Sequence, residues 1–372
     1  MKPPSSLPGL RSFFDSIDWG KLQSEVAGET QGRLVIAGPV NSGKSTLFNL
    51  LKGQAVSPVS AVPGTTQTTV VEQFGPFTLV DTPGFGEVGG ENRARLAQAE
   101  IKQAKMVLLL LDAAAGVRQD DLNLFYEIRN QDVPVMVVLN KVDLVRRDLR
   151  AILDDLSFRL QGVLAIPISA RTGAGVADRL IPALIQSDSS LAVVIGRALP
   201  AYRSAAARRI IRNTTMWALV LGAEPIPGLD LPVLLVMQAR MVLRLAAIYG
   251  ENVSGHYARE LVSALAGGLI ARYVGEELAK LLPGPGWVIG AIVAAGGTMT
   301  MGRLAEAYFQ KGGQMAAPEL REWVQAHLAN PRRRDQSAIE LKPRGQQREA
   351  GSRALNDNAG DNARDNANEE EK

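Results

Sequence analysis

The segment that most constrains this chain is Gly38-Pro39-Val40-Asn41-Ser42-Gly43-Lys44-Ser45. It lies between a short aliphatic run, Leu34–Ala37, that reads as a buried strand, and a stretch, Lys44–Lys52, that reads as a helix. A strand that feeds a glycine loop into a helix N-terminus turns several backbone N–H groups toward one point. Those groups and the helix dipole hold phosphate there. Lys44 is expected to reach the β- and γ-phosphates and the Ser45 hydroxyl to ligate Mg²⁺. Gly38, Asn41, Ser42, Gly43 and Thr46 complete the expected phosphate cradle. Taken alone, the motif fits an ATPase as well as a GTPase.

The surrounding pattern supplies the sheet that such a loop needs. From Arg33 to about Gln186, aliphatic runs that read as buried strands (Leu34–Ala37, Met106–Leu111, Val133–Leu139, Leu164–Ile168) alternate with helical stretches. The helices are expected at Lys44–Lys52, Asn92–Lys105, Asp120–Asn130, Asp148–Leu160 and Val176–Gln186. Thr69–Phe74 and Phe77–Val80 flank Gly75-Pro76 and read as a hairpin. The expected fold class is α/β, a three-layer, mostly parallel P-loop sheet followed by an all-α second domain. The expected segments are a leader over 1–31, a nucleotide-binding domain over 32–188, a helical domain over 189–330 and a disordered tail over 331–372. In the leader, Leu10–Val26 reads as a short helix, either a packing arm or a partly ordered extension. The tail is rich in Arg, Asn, Asp, Gln and Glu and has too few apolar residues to offset chain entropy.

Three further motifs follow the first, each at the end of an expected strand. Asp81-Thr82-Pro83-Gly84 follows Phe77–Val80; Asp81 is placed to hold Mg²⁺ through water, and the Gly84 N–H to sense the γ-phosphate. Asn140-Lys141-Val142-Asp143 follows Val133–Leu139 and decides the base. The Asp143 carboxylate can accept from N1–H and N2–H₂ of guanine, whereas adenine offers no such donor pair and would leave the acid unpaired. Lys141 is expected along the base plane, and Asn140 is expected to tie this loop to the P-loop. Ser169-Ala170 closes the last strand, with the Ala170 N–H expected at guanine O6. Four motifs in this order specify guanine nucleotide, GTP or GDP.

Residues 33 to about 186 resemble the Era, Der and MnmE branch of the translation-factor-related GTPases. In that branch the first switch commonly reads G-T-T-R-D; here it is Gly64-Thr65-Thr66-Gln67-Thr68. The resemblance implies that Thr66 closes over Mg²⁺ and the γ-phosphate, with Thr65 as the alternative. Ras-like enzymes place a Gln after D-x-x-G to orient the attacking water; this chain has Phe85 there, so no amide does that job. In Era and MnmE relatives an Asn within the P-loop helps bind potassium, and Asn41 matches it. The resemblance therefore implies K⁺-stimulated hydrolysis, slow in the isolated chain, with a loop-shaping hydrogen bond as the other role open to Asn41. The expected catalytic set is Lys44, Thr66, Gly84 and Asn41.

Composition narrows the partners. The net charge is +3, so a nucleic-acid role does not follow from overall charge. There are no cysteines, which excludes disulfides, zinc ribbons and thiol catalysis. The N-terminus has no apolar stretch of the signal-peptide kind, so the expected location is the cytoplasm. His256 and His327 sit in no ligand-like cluster.

Beyond Ser190 the chain turns rich in Ala, Leu, Val, Ile and Gly. Between Ser189 and Ala223 lie Arg197, Arg203, Arg208, Arg209 and Arg212 with no acidic residue. This reads as a basic amphipathic helix for an anionic membrane surface or as a solvated helix between domains. Leu281–Gly302 is free of charge over about the ~20 residues that span a bilayer. Gly286, Gly290, Ala294 and Gly297 there would let helices pack closely, in lipid or in a soluble bundle. Glu224–Asp230 connects two apolar helical runs, the second ending near Tyr249-Gly250. This half is similar to an uncharacterised helical domain found after the G domain in some bacterial Era-like GTPases, often thought membrane-associated.

The combined expectation is a GTP-hydrolysing switch at the inner face of the cytoplasmic membrane. Its loops Ala61–Thr68 and Gly84–Gly90 would order on the γ-phosphate. Its partners would be guanine nucleotide, an anionic membrane surface or membrane protein, and a second copy in a nucleotide-dependent dimer. The alternatives are an RNA- or ribosome-assembly GTPase and a scaffold that binds GTP with negligible turnover.

Overall fold

The computed structural model describes residues 17–54, 71–80, 91–145, 148–223, 230–251, 259, 262–263, 286–312 and 322. Helix α1 (Trp19–Thr30) starts at an Asp18 cap, whose carboxylate accepts from Lys21 N at 2.9 Å. There follow β1 (Leu34–Ala37), α2 (Lys44–Gln54), β2 (Val71–Phe74), β3 (Phe77–Val80), α3 (Glu91–Gln103) and β4 (Met106–Asp112). Then come α4 (Gln119–Arg129), β5 (Val135–Asn140), α5 (Leu149–Arg159), β6 (Ile166–Pro167) and α6 (Ile181–Ser187). The described remainder is helical: α7 (Ser189–Ala198), α8 (Arg203–Ala223), α9 (Asp230–Tyr249) and α10 (Gly286–Gln310).

The six strands run in the order β2-β3-β1-β4-β5-β6. Among the described residues only the β2–β3 hairpin is antiparallel, and β1 pairs in parallel with both β3 and β4. Leu34 to Ala37 and Val107 to Leu111 are all fully buried. That is the signature of parallel strands covered on both faces, and it explains why these strands read as unbroken aliphatic runs. Successive residues point to opposite faces. Val35, Val107, Leu109, Val137 and Leu139 share one core with Ile101, Phe125 and Leu156 from α3, α4 and α5. Helix α2 packs on β1 and β3. The class is therefore the expected α/β, three-layer, mostly parallel sheet with a helical region after it.

The element ends differ from the sequence reading in a few places. The last strand shrinks to Ile166–Pro167, and Leu164 is 79% exposed. The helix expected over Val176–Gln186 opens with a π-turn, Val176–Leu180, before α6 begins at Ile181. The stretch Ser189–Ala223 is two helices rather than one. Asp188 caps α7 by accepting from Ser190 N at 2.7 Å and Leu191 N at 3.3 Å. The turn Pro200–Tyr202 then separates it from α8. The arginines consequently do not share a face. Arg197 is turned inward to Ala247 O at 3.3 Å, and Arg203 lies over the Tyr249 ring at 5.9 Å.

In the helical part, α8 packs along α10, and α9 packs on both. A Cβ on Gly222 of α8 would stand 2.8 Å from Gly290 O, so the two backbones meet there without side chains. Of the small residues expected to pack on α10, Gly290 makes that close approach, whereas Gly297 has nothing within 4 Å of a would-be Cβ. Thr298 is fully buried and accepts from Gln238 Nε2 of α9 at 2.9 Å. Residues 281–285 lie outside the described residues. So do the leader before Ile17, the connection 224–229, His256, His327 and the tail over 331–372.

Helix α1 packs against α7 and α9. Trp19, Leu22 and Val26 are its buried face. Arg244 of α9 grips Glu29 through two parallel bonds, Nε–Oε2 at 2.8 Å and Nη2–Oε1 at 2.7 Å. Arg240 pairs with Glu25 one turn away. Arg244 and Glu29 are 18% and 14% exposed, so losing one partner strands a poorly hydrated charge. Arg244→Ala is expected to lower stability by about 2 kcal/mol in a urea titration. An unchanged midpoint would show that the Arg244–Glu29 pair contributes nothing measurable to holding α1.

Candidate functional site

Strands β1, β4, β5 and β6 end on one edge of the sheet, and the loops that leave them make the site. From β1 the chain enters the loop Gly38–Gly43 and then α2. Gly38 has φ +147°, and a Cβ there would lie 2.3 Å from Leu110 O. Gly43 has φ +94°, and its Cβ would lie 2.3 Å from Asn140 Nδ2. Asn41 also adopts a left-handed conformation, φ 62°. Both glycines are thus required by sterics as well as by backbone angle. Gly43→Ala is expected to displace the Asn140 amide and to cut nucleotide affinity by about 100-fold, some 2.7 kcal/mol; a wild-type GDP titration curve would contradict this.

Lys44 is 7% exposed, and its ammonium donates to Gly38 O at 2.9 Å and Pro39 O at 3.1 Å. The loop therefore curls around the lysine head at the N-terminus of α2, where the helix dipole adds partial positive charge. Ser45 and Thr46 are exposed on the first turn of α2. Ser42 is fully buried, and its hydroxyl has no hydrogen-bond partner. A concave loop with two positive-φ glycines, a buried lysine and an orphaned hydroxyl fits a bound phosphate chain.

Asn140, at the end of β5, is 2% exposed. Its Nδ2 donates to Ser42 O at 2.8 Å, and its Oδ1 accepts from Ala170 N at 2.8 Å. One side chain thus clamps the P-loop, the β5 loop and the β6 loop together. The tie to the P-loop is as the sequence suggested. The Ala170 N–H, expected at guanine O6, has Asn140 as its partner here. A buried amide oxygen needs a donor, so recognition of O6 by Ala170 requires that bond to be shared.

Lys141 takes a left-handed conformation, φ 63°. Its ammonium meets Asp112 Oδ2 at 2.7 Å. Asp112 ends β4 directly opposite Asn140 in the sheet register. Its Oδ1 also accepts from Ala114 N at 2.9 Å and Ala115 N at 3.1 Å. Burial pushes the Asp112 carboxyl up, but Lys141 and the two amides outweigh it and hold it below the ordinary value. Sequence reasoning missed Asp112. Its signal was a lone acid closing an otherwise aliphatic strand.

Asp143 lies on the 3₁₀ turn Val142–Leu144. The Ser169 hydroxyl and then Arg171 hold its carboxyl below the ordinary value. Arg171 donates to Oδ2 from Nη2 at 2.7 Å and from Nε at 3.1 Å. Arg171 was also missed; it directly follows Ser169-Ala170. Ser169 is fully buried and accepts from Thr172 N at 3.2 Å, which fixes the loop.

The structure thus brings together Gly38, Asn41, Ser42, Gly43, Lys44, Ser45, Thr46, Asn140, Lys141, Asp143, Ser169 and Ala170. Thr66, Asp81, Gly84, Phe85 and both switch loops lie outside the described residues. Strand β3 ends at Val80, beside the strand end from which the P-loop departs.

Residues 33–141 match the family model described as 50S ribosome-binding GTPase, and residues 186–333 match a domain of unknown function, DUF697. Curated relatives include GTPase Era of Ruminiclostridium cellulolyticum, 33% identical over 153 residues that cover 39% of this chain and 51% of the relative. GTPase Der of Desulforudis audaxviator is 34% identical over 159 residues, 41% of this chain and 36% of the relative. The tRNA modification GTPase MnmE of Moorella thermoacetica is 33% identical over 188 residues, 46% of this chain and 39% of the relative. The chain spans between about a third and a half of the length of these relatives. Its first half is a GTP-binding P-loop domain homologous to those of Era, Der and MnmE, and its second half carries the DUF697 helical domain.

Proposed function

We propose that this chain is a molecular switch that hydrolyses GTP in a G domain over 32–188 and passes its nucleotide state to the helical domain over 189–330. The observation that carries the reading is the Asn140 clamp, which joins the phosphate loop to the two loops that meet the base. Binding at one loop therefore constrains the others. The ionised Asp143 carboxylate accepts the guanine N1–H and N2–H₂ edge, and Lys141, held by Asp112, lies along the base.

Lys44 neutralises charge that builds on the β- and γ-phosphate oxygens during hydrolysis. Ser45, with Thr66 and Asp81, holds Mg²⁺, which when bound supplies further charge neutralisation. Because Phe85 stands where a water-orienting amide would be, the γ-phosphate charge needs a second stabiliser. The exposed side chain of Asn41 in the phosphate loop is the K⁺ ligand in this reading. Turnover is then slow in Na⁺ and faster in K⁺.

The helical domain is the effector part, at the inner face of the cytoplasmic membrane. Met216, Trp217 and Val220 of α8, Val233 and Val236 of α9 and Ile292 of α10 are exposed apolar side chains that support this. Among the described residues one helix, Pro232–Tyr249, is long and apolar enough to cross a membrane, and 56% of it is buried among its neighbours. The second reading is a ribosome-associated GTPase, favoured by the description of the matched family.

The test uses the purified full-length chain. GDP binding is expected to resist competition by ATP, and phosphate release from GTP is expected to need Mg²⁺, to rise in K⁺ over Na⁺ and to vanish in Lys44→Ala. ATP competition would sink the guanine assignment, and equal rates in the two salts would sink the potassium role. Extraction of cell membranes with high salt and then detergent separates the location readings. Recovery wholly with ribosomes would replace the membrane by the ribosome.

A further inference from the structure

A second cleft, of about 610 Å³, lies on the helical part where α8, α10 and the end of α6 meet. Arg208, Arg209 and Arg212 of α8 and Arg303 of α10 line it, together with the apolar side chains of Ile211 and Met299. Its one carboxylate is Glu306. Four guanidinium groups around one small volume repel one another. Arg208, Arg212 and Arg303 are exposed, so water screens part of that repulsion, and the cluster remains a concentrated positive field open to solvent.

Two of the four are oriented by the protein. Arg209 Nη2 donates to Gln186 O at 2.9 Å, and Arg212 Nη2 donates to Gln186 Oε1 at 2.6 Å. These are neutral partners that set direction and leave the charge unbalanced. Arg209 Nε is buried without a hydrogen-bond partner. Among the described residues none of the four forms an ion pair with an acid. Burial pushes the Glu306 carboxyl up in spite of Arg208 and Arg303.

We infer that this cleft is a binding site for a phosphoryl anion, separate from the nucleotide pocket. Planar forks arranged around a concave floor match the tetrahedral oxygens of a phosphate group and can each give two parallel bonds. Arg208 and Arg212 stand one helical turn apart on α8, and Arg303 faces them from α10, so an anion seated there is held from two helices. Gln186 lies in the last turn of α6, so the anion would sit beside an element continuous in sequence with the Ser169–Arg171 loop. The phosphoryl group can belong to a soluble ligand or to a lipid headgroup. The inference does not depend on the nucleotide reading.

The test loads the full-length chain with excess GDP, so that the P-loop is occupied, and titrates it with pyrophosphate by calorimetry. In parallel, it is sedimented with phosphatidylcholine vesicles with and without phosphatidic acid. The variants are Arg208→Ala/Arg303→Ala and the charge-retaining Arg303→Lys, checked by circular dichroism and by unchanged GDP affinity. The double variant is expected to bind the anion at least about 100-fold more weakly, roughly tenfold per arginine, with Arg303→Lys in between. Pyrophosphate binding without vesicle binding assigns a soluble ligand. Arginine-dependent sedimentation with phosphatidic acid, competed by pyrophosphate, assigns a lipid headgroup. Equal binding by wild type and double variant, or binding of neither probe, would overturn the site.

Discussion

Replacing Asn140 with alanine is expected to abolish nucleotide binding and to lower the stability of the chain by about 2–4 kcal/mol. The reason is its position. At 2% exposure it has no access to water, and its amide satisfies Ser42 O on one side and Ala170 N on the other. Alanine leaves both backbone groups buried and unpaired, each at a cost of about 1–3 kcal/mol. It also frees the P-loop from the base loops, so the phosphate and base subsites lose their common frame. Urea unfolding and GDP titration check the two effects separately. Asn140→Asp probes the mechanism further, because it keeps the acceptor for Ala170 N–H but removes the donor to Ser42 O. It should keep part of the stability and little of the affinity. If Asn140→Ala bound GDP normally, the three loops would be positioned by their own backbones and the clamp would be incidental.

Asp143→Asn is expected to lower GDP affinity by roughly 10³–10⁴-fold and to admit the xanthine nucleotide instead. Guanine presents two donors toward residue 143, N1–H and N2–H₂. An amide offers one acceptor and brings a donor of its own that faces the guanine amino group. Xanthine carries a carbonyl at that carbon, which the amide N–H can satisfy. Ser169 and Arg171 hold the Asp143 carboxyl below its ordinary value, so it stays ionised throughout the neutral range. Guanine affinity should therefore be flat with pH through the neutral range and fall only as the carboxylate protonates at low pH. Stability should change little, since Arg171 is 71% exposed and regains water when its partner is lost. The measurement is competition of labelled GDP by unlabelled GDP and XDP against both proteins. Unaltered preference for GDP in Asp143→Asn would mean that the base is read elsewhere.

Much of the fold and of this site is legible in the residues alone, for a local reason. Strands β1 and β3 begin and end where the reading placed them: β1 because a doubly covered strand is aliphatic throughout and the glycine loop marks its end, and β3 because Gly75-Pro76 marks its start. The order of the four motifs along the chain is also local information, and a parallel sheet brings their strand ends to one edge whatever the details. The expectations for Asn140 and Asp143 rest on the same kind of information: residue type and the strand each one follows.

What only the tertiary structure decided are partnerships between residues far apart in sequence. Asp112 and Arg171 act on Lys141 and Asp143 across 29 and 28 positions, and Glu29 meets Arg244 across 215. No periodicity encodes such pairs. The arginines between Ser189 and Ala223 show the limit most clearly. In sequence they are one basic stretch. In the fold Pro200 divides the helix, Arg197 and Arg203 are taken up by Ala247 O and the Tyr249 ring, and the other three meet Arg303 around a cleft. Helical spacing determines which residues share a face of one helix. Which charges remain to bind something depends on what the neighbouring helices place opposite them.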